Sequence, residues 1–163
     1  MNHAMLQRIV EEVAARLRRR ALSTATLSVA QLGEADIQSL LCQHASLRIV
    51  QVDLPLLEQL TGQRALTAAG CALHEAMAWG VRVQLTLLPA LLPALAVKKL
   101  ARLPLTFSDP PGQPIRLHAA SVLTYADVAR LHGGYLVLRR RPIITALARE
   151  AAVARHVQLI TQE

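Results

Sequence analysis

SLRIVQVD at Ser46–Asp53 and VRVQLTLL at Val81–Leu88, joined by LPLLEQLTGQRALTAAGCALHEAMAWG at 54–80, decide the fold. Both flanks alternate apolar and polar residues, the period of a half-buried strand. Asp53 ahead of Leu54-Pro55 reads as a helix start with proline early. Helical segments follow through Leu60 and from Ala65 to Trp79, with Gly62 between them and Gly80 as terminator. Strand, helix and strand in that order predict parallel neighbours in one sheet.

Working outward, TLSVAQ at Thr26–Gln31 reads as a strand, and Gly33–Gln43 as a short helix with Ile37, Leu40 and Leu41 apolar. Downstream, Pro89–Ala101 is a helix begun or kinked by its prolines. Leu103–Ser108 and Ile115–Ala119 form a hairpin around Asp109-Pro110-Pro111-Gly112-Gln113. Thr124 with Asp127 opens a helix over Tyr125–Leu131, which Gly133-Gly134 breaks. Tyr135–Arg139 is a strand, Thr145 caps a helix over Ala146–Arg155, and Val157–Ile160 is a last short strand. The expected fold is α/β: a single three-layer domain over residues 21–163, with a mostly parallel or mixed sheet and helices on both faces. An N-terminal amphipathic helix over residues 1–20 precedes it.

In that first helix Leu6, Ile9, Val10, Val13 and Leu17 fall in one arc roughly 100° wide at the helical period. Arg8, Glu11, Glu12, Arg18 and Arg19 take the other face, and Glu12 with Arg16 makes a favourable i,i+4 pair. Two readings follow. The stripe packs on the protein's own sheet, as most amphipathic helices do, or it docks in a groove of another protein.

At 163 residues the chain can bury a sizeable core. Apolar residues at 53% and charged residues at 18% exclude a disordered chain. Aromatics at 2% leave no stacking platform for single-stranded nucleic acid. The net charge of +7 gathers in Arg18-Arg19-Arg20, in Lys98-Lys99 with Arg102, and in Arg139-Arg140-Arg141. Such a balance suits an acidic partner or an anionic surface. No helix-turn-helix, zinc-finger or RNA-binding signature accompanies it, so no nucleic-acid partner is expected. Cys42 and Cys71 are too few for a disulfide framework and read as buried small residues on helices in a reducing cytosol. No signal-peptide core is present, and Val83–Val97 is too short and proline-broken to span a bilayer; no membrane partner is expected.

Catalytic patterns are missing. The glycines form neither G-x-G-x-x-G nor a phosphate loop, and no G-x-S-x-G elbow exists. The histidines His3, His44, His74, His118, His132 and His156 make no i,i+4 metal pair. No cofactor and no metal are expected. Asp53 and Ser108-Asp109 sit where open α/β sheets bind ligands, at strand carboxyl ends. Their competing roles are to cap a helix and to set a turn. A small-molecule or cofactor-binding protein, of the kind that takes flavins or nucleotides, is therefore the alternative function.

Three tracts carry a resemblance: Met5-Leu6-Gln7-Arg8-Ile9-Val10-Glu11-Glu12, Val97–Asp109 (VKKLARLPLTFSD) and Pro142–Glu150 (PIITALARE) running on to Val157–Ile160. Along nearly the whole chain the sequence resembles the propanediol-utilization family of bacterial microcompartment proteins. The resemblance implies a structural or assembly component, not an enzyme, within a microcompartment of the cytoplasm. It implies shell and/or cargo proteins as partners, with cargo joined to shell, and brings no catalytic residues. The first helix also resembles the short encapsulation peptides that carry enzymes to shells, although those sit on a longer linker than Ala21–Ala25. The expected partner-binding residues are Leu6, Ile9, Val10, Val13 and Leu17, with Arg139, Arg140 and Arg141.

Overall fold

The computed structural model describes residues 2–162. Helix α1 (His3–Leu22) leads into strand β1 (Thr24–Ser28), helix α2 (Val29–Glu34), helix α3 (Ile37–Gln43) and strand β2 (Ser46–Val50). Helices α4 (Leu54–Leu60) and α5 (Ala68–Ala78) precede β3 (Arg82–Thr86). A 3-10 helix (Pro89–Ala94) and α6 (Val97–Leu100) connect to β4 (Leu105–Ser108), which turns into β5 (Pro114–His118). Then come β6 (Val122–Leu123), α7 (Tyr125–Ala129), β7 (Tyr135–Leu138), β8 (Ile143–Ile144), α8 (Ala146–Ala154) and β9 (Gln158–Thr161).

The main sheet has the order β1-β2-β3-β4-β5-β7-β9, parallel throughout except at the β4/β5 hairpin. The α/β sheet, its mixed character and the N-terminal helix are as the sequence reading has them. Local boundaries differ. Gly33–Gln43 is not one helix: α2 stops at Glu34, and Asp36 accepts from Ser39 N–H to start α3. Strand β1 runs over Thr24–Ser28 rather than Thr26–Gln31, because Ser28 caps α2 and makes Val29–Gln31 helical, and the break after α1 is Ser23 alone. In Pro89–Ala101 the second proline, Pro93, cannot continue α-helical bonding, and a 3-10 helix forms before α6. The two-residue pair β6–β8 went unread because strands that short show no period.

The chain advances across the sheet in sequential order, and this explains where the layers lie. Right-handed crossovers between parallel strands then put every connection on one face. Leu32, Leu41, Leu56, Leu73 and Ala76 from α2–α5 pack there on Ala25, Leu47, Ile49, Val83 and Leu85. The hairpin reverses strand direction, so the same advance with the same hand puts α7 and α8 on the opposite face. Val128, Ala148 and Ala152 meet Leu136 and Leu138 there in a second core cluster.

Helices thus lie on both faces, but coverage is uneven. On the second face β1–β4 present Thr24, Thr26, Arg48, Arg82, Gln84, Thr86 and Thr106, all exposed or half-exposed. Among the described residues no helix buries side chains on that part of the sheet. Parallel sheets are ordinarily covered on both faces; this one stays open because its strands there are polar on alternate residues.

Candidate docking surfaces

None of the residues of α1 is buried. Leu6, Ile9, Val10, Val13 and Leu17 are between 45% and 59% exposed. The stripe therefore does not pack on the protein's own sheet, which was one of the two readings of the sequence. Among the described residues, only the C-terminal end of α1 is tied down. Arg20 Nε donates to the Leu41 carbonyl at 3.0 Å, Ala45 N–H donates to the Arg20 carbonyl at 3.1 Å, and Arg82 Nη2 donates to the Ala21 carbonyl at 3.5 Å. The Arg16–Glu12 pair at 2.6 Å lies in solvent along the helix and adds a few tenths of a kcal/mol to helicity, about 0.2–0.5.

The basic clusters are not independent. Arg139 and Arg140, just past the end of β7, line a pocket of about 260 Å³ together with Lys98, Lys99 and Gln162. Arg141 stands beside it, exposed, with a positive φ of 52°. Strand directions place the start of β1–β4 and the end of β5, β7 and β9 on the same rim of the sheet. Arg18–Arg20 at the end of α1, Lys98-Lys99 ahead of β4, and Arg139–Arg141 after β7 therefore share that rim.

At the opposite rim, beyond the carboxyl ends of β1–β4, lies a cleft of about 850 Å³. Arg48, Gln84 and Thr86 line its floor and Leu54, Leu88 and Leu91 its walls. Asp53 and Asp109 both border it, so the fold brings these two carboxylates together on one cleft. Each is also structurally engaged. Asp53 Oδ1 accepts from Leu56 N–H at 3.1 Å and caps α4, and Asp109 Oδ1 accepts from Gln113 N–H at 2.6 Å inside the hairpin turn. Gln84 Nε2 donates to Ser108 Oγ at 2.8 Å across the floor.

Cys42 and Cys71 are both exposed, which corrects their reading as buried residues. Their neighbours in sequence, Leu41 on α3 and Ala72 on α5, take the buried positions, so the thiols point outward. Among the described residues no group of three or more His, Cys, Asp or Glu side chains could hold a metal. No helix among them is long and apolar enough to cross a membrane.

The sequence reading marks Asp53 and Ser108-Asp109 as a ligand position but expects helices over both faces, so it misses the open sheet face, although a signal exists. Polar residues recur at every second position of TATLS and RVQLT, and at Ser46 and Arg48 of SLRIV, the mark of strands with one solvated face. The meeting of Lys98-Lys99 with Arg139-Arg140 left no local signal, because only the sheet order creates it.

No solved structure matches the chain. It is 59% identical, over all of both chains, to the bacterial microcompartment assembly protein PduM of Salmonella typhimurium. It is 56% identical, again over all of both chains, to the protein of the same name from Citrobacter freundii. The family described as "Putative propanediol utilisation" matches residues 8–158, which take in most of α1 and the sheet through the start of β9. With that span and those identities, the chain belongs to this propanediol-utilisation family.

Proposed function

We propose that this protein is an assembly component of a propanediol-utilisation microcompartment in the cytoplasm, and that it joins enzyme cargo to the shell through α1. Full-length similarity to proteins named for microcompartment assembly supports the first part. The observation that carries the second is the exposed stripe of Leu6, Ile9, Val10, Val13 and Leu17 on a helix tied to the sheet only at its end. The domain boundary falls accordingly: residues 1–20 attach and residues 21–163 fold. Burying each aliphatic side chain of the stripe against a partner would contribute roughly 1.5–3 kcal/mol. Arg139, Arg140 and Arg141 add attraction toward acidic partner surfaces, which raises encounter rate and is screened by salt.

The test is co-purification from cells making these microcompartments. Ile9→Glu or Val13→Glu should remove shell and cargo proteins from the tagged chain while circular dichroism and melting stay unchanged. Undiminished co-purification by both variants would refute attachment through α1. The cleft of about 850 Å³ favours a second reading, a small-molecule-binding protein of the same pathway. That reading expects a thermal shift with a flavin, a nucleotide or cobalamin, lost in Arg48→Gln; no shift with any of the three removes it.

A further inference from the structure

We propose that the pocket formed by Lys98, Lys99, Arg139 and Arg140 binds a phosphate or diphosphate group of a small molecule. The site is independent of α1 and goes beyond the attachment reading. Its position is the first support. Arg139 directly follows β7 and Gln162 directly follows β9, two adjacent parallel strands. Ligands of α/β sheets bind at such carboxyl ends.

The charge balance is the second. Four cationic residues from two segments far apart in sequence line the pocket, and among the described residues no carboxylate does. Among the described residues the ion pairs are Arg16–Glu12 and Arg64–Glu58, and neither involves these four cations. Like charges gathered on one pocket repel one another and favour a counter-anion.

Arg139 Nε is the third. It is buried and has no hydrogen-bond acceptor. A buried charged donor without a partner is costly, and a turn of the guanidinium toward an oxyanion in the pocket would supply an acceptor. Guanidinium groups suit phosphate oxygens through paired N–H donors. The pocket is already held in shape: Arg140 N–H donates to Gln162 Oε1 at 3.1 Å.

Size sets the ligand class. About 260 Å³ is below the roughly 300–1,000 Å³ of sites for whole drug-sized molecules. It admits one or two phosphate groups while the rest of a ligand would lie outside. Four cations match a dianion or a more highly charged group better than one carboxylate.

Isothermal titration of the full chain with inorganic phosphate and with pyrophosphate, at ionic strength fixed with sodium chloride, tests this. Saturable one-to-one binding is expected, tighter for pyrophosphate, and weakened at least tenfold in Lys99→Gln/Arg140→Gln. Lys98→Gln/Lys99→Gln, which changes two exposed side chains, gives the same test should the first variant fold poorly. Sodium acetate or a poly-glutamate peptide binding as tightly as pyrophosphate would overturn the assignment, since the site would then read carboxylates. So would an equal loss in Arg18→Gln/Arg19→Gln, which would make the effect one of net charge. Ile9→Glu should leave phosphate binding intact, so this proposal and attachment through α1 succeed or fail separately.

Discussion

Gly134 shows how much a single position controls. Its φ is +77°, and a Cβ added there would run into the Pro114 carbonyl oxygen of β5. Its own carbonyl accepts from Gln158 N–H at 2.9 Å, so it cannot move without disturbing β9. Gly62 has a similar φ of +74°, yet nothing lies within 4 Å of an added Cβ. Gly62→Ala should therefore cost only the left-handed strain, about 1–2 kcal/mol. Gly134→Ala should cost roughly 2–4 kcal/mol, because the clash adds to that strain. Urea unfolding of the two variants checks this, and equal losses would show that the approach to Pro114 is unimportant. Asp127 acts through charge. Its Oδ2 accepts from Thr124 N–H at 2.8 Å and from the Thr124 hydroxyl at 2.7 Å. These bonds, the backbone one first, hold its carboxyl below the usual range, with His118 adding a smaller pull. A depressed carboxylate stabilises the fold above its unfolded-state pKa, and that stability disappears as pH falls through the folded-state value. The stability difference between the native chain and Asp127→Ala should thus shrink as pH drops below the ordinary Asp range. A difference independent of pH would assign the effect to helix propensity instead.

Elements with a clear period or cap were legible in the sequence. Asp53, Thr145 and the Thr124/Asp127 pair start α4, α8 and α7 where their side chains predicted, and Gly80 ends α5 with a φ of +72°. The Asp109–Gln113 turn makes the hairpin because Pro110 and Gly112 supply the backbone angles it needs. What stayed hidden depends on contacts between distant segments. Cys42 and Cys71 were placed on the right helices but on the wrong side, since neither the small α3 nor the alanine-rich α5 shows from sequence which arc faces the sheet. For α1 the five apolar positions were legible, but not what covers them. A stripe buried in the parent fold and a stripe kept for a partner have the same period. The variants distinguish them energetically. Val13→Glu on an exposed face should change stability by no more than about 0.5 kcal/mol. In a packed interface it would bury an unpaired charge and unfold the chain. Thermal melts of Val13→Glu give the answer directly.

The molecule as a whole is asymmetric, and topology is the cause. Sequential strand order with one reversal gathers Arg18–Arg20, Lys98-Lys99 and Arg139–Arg141 on one rim and leaves the cleft with Asp53 and Asp109 on the other. A net charge of +7 is therefore concentrated rather than spread, which favours oriented approach to acidic surfaces. The helix that would attach ends at the same rim, where Arg20 bonds the Leu41 carbonyl of α3 and the N–H of Ala45, just ahead of β2. Whether the sheet needs that helix can be decided by magnitude. If the five stripe residues belonged to the core, losing them would cost on the order of 7–15 kcal/mol, as much as a domain's whole stability of about 5–15 kcal/mol. If they are free, removal of residues 1–20 costs little more than the Arg20 hydrogen bonds, each about 0.5–1.5 kcal/mol. The shortened chain, residues 21–163, should then unfold in one cooperative transition, at a urea midpoint only slightly below that of the full chain. Its slope with denaturant should be nearly unchanged, because α1 buries no side chain whose exposure could alter it. A chain that melts without cooperativity after this deletion would make α1 part of the fold, and attachment would have to be sought on the basic rim.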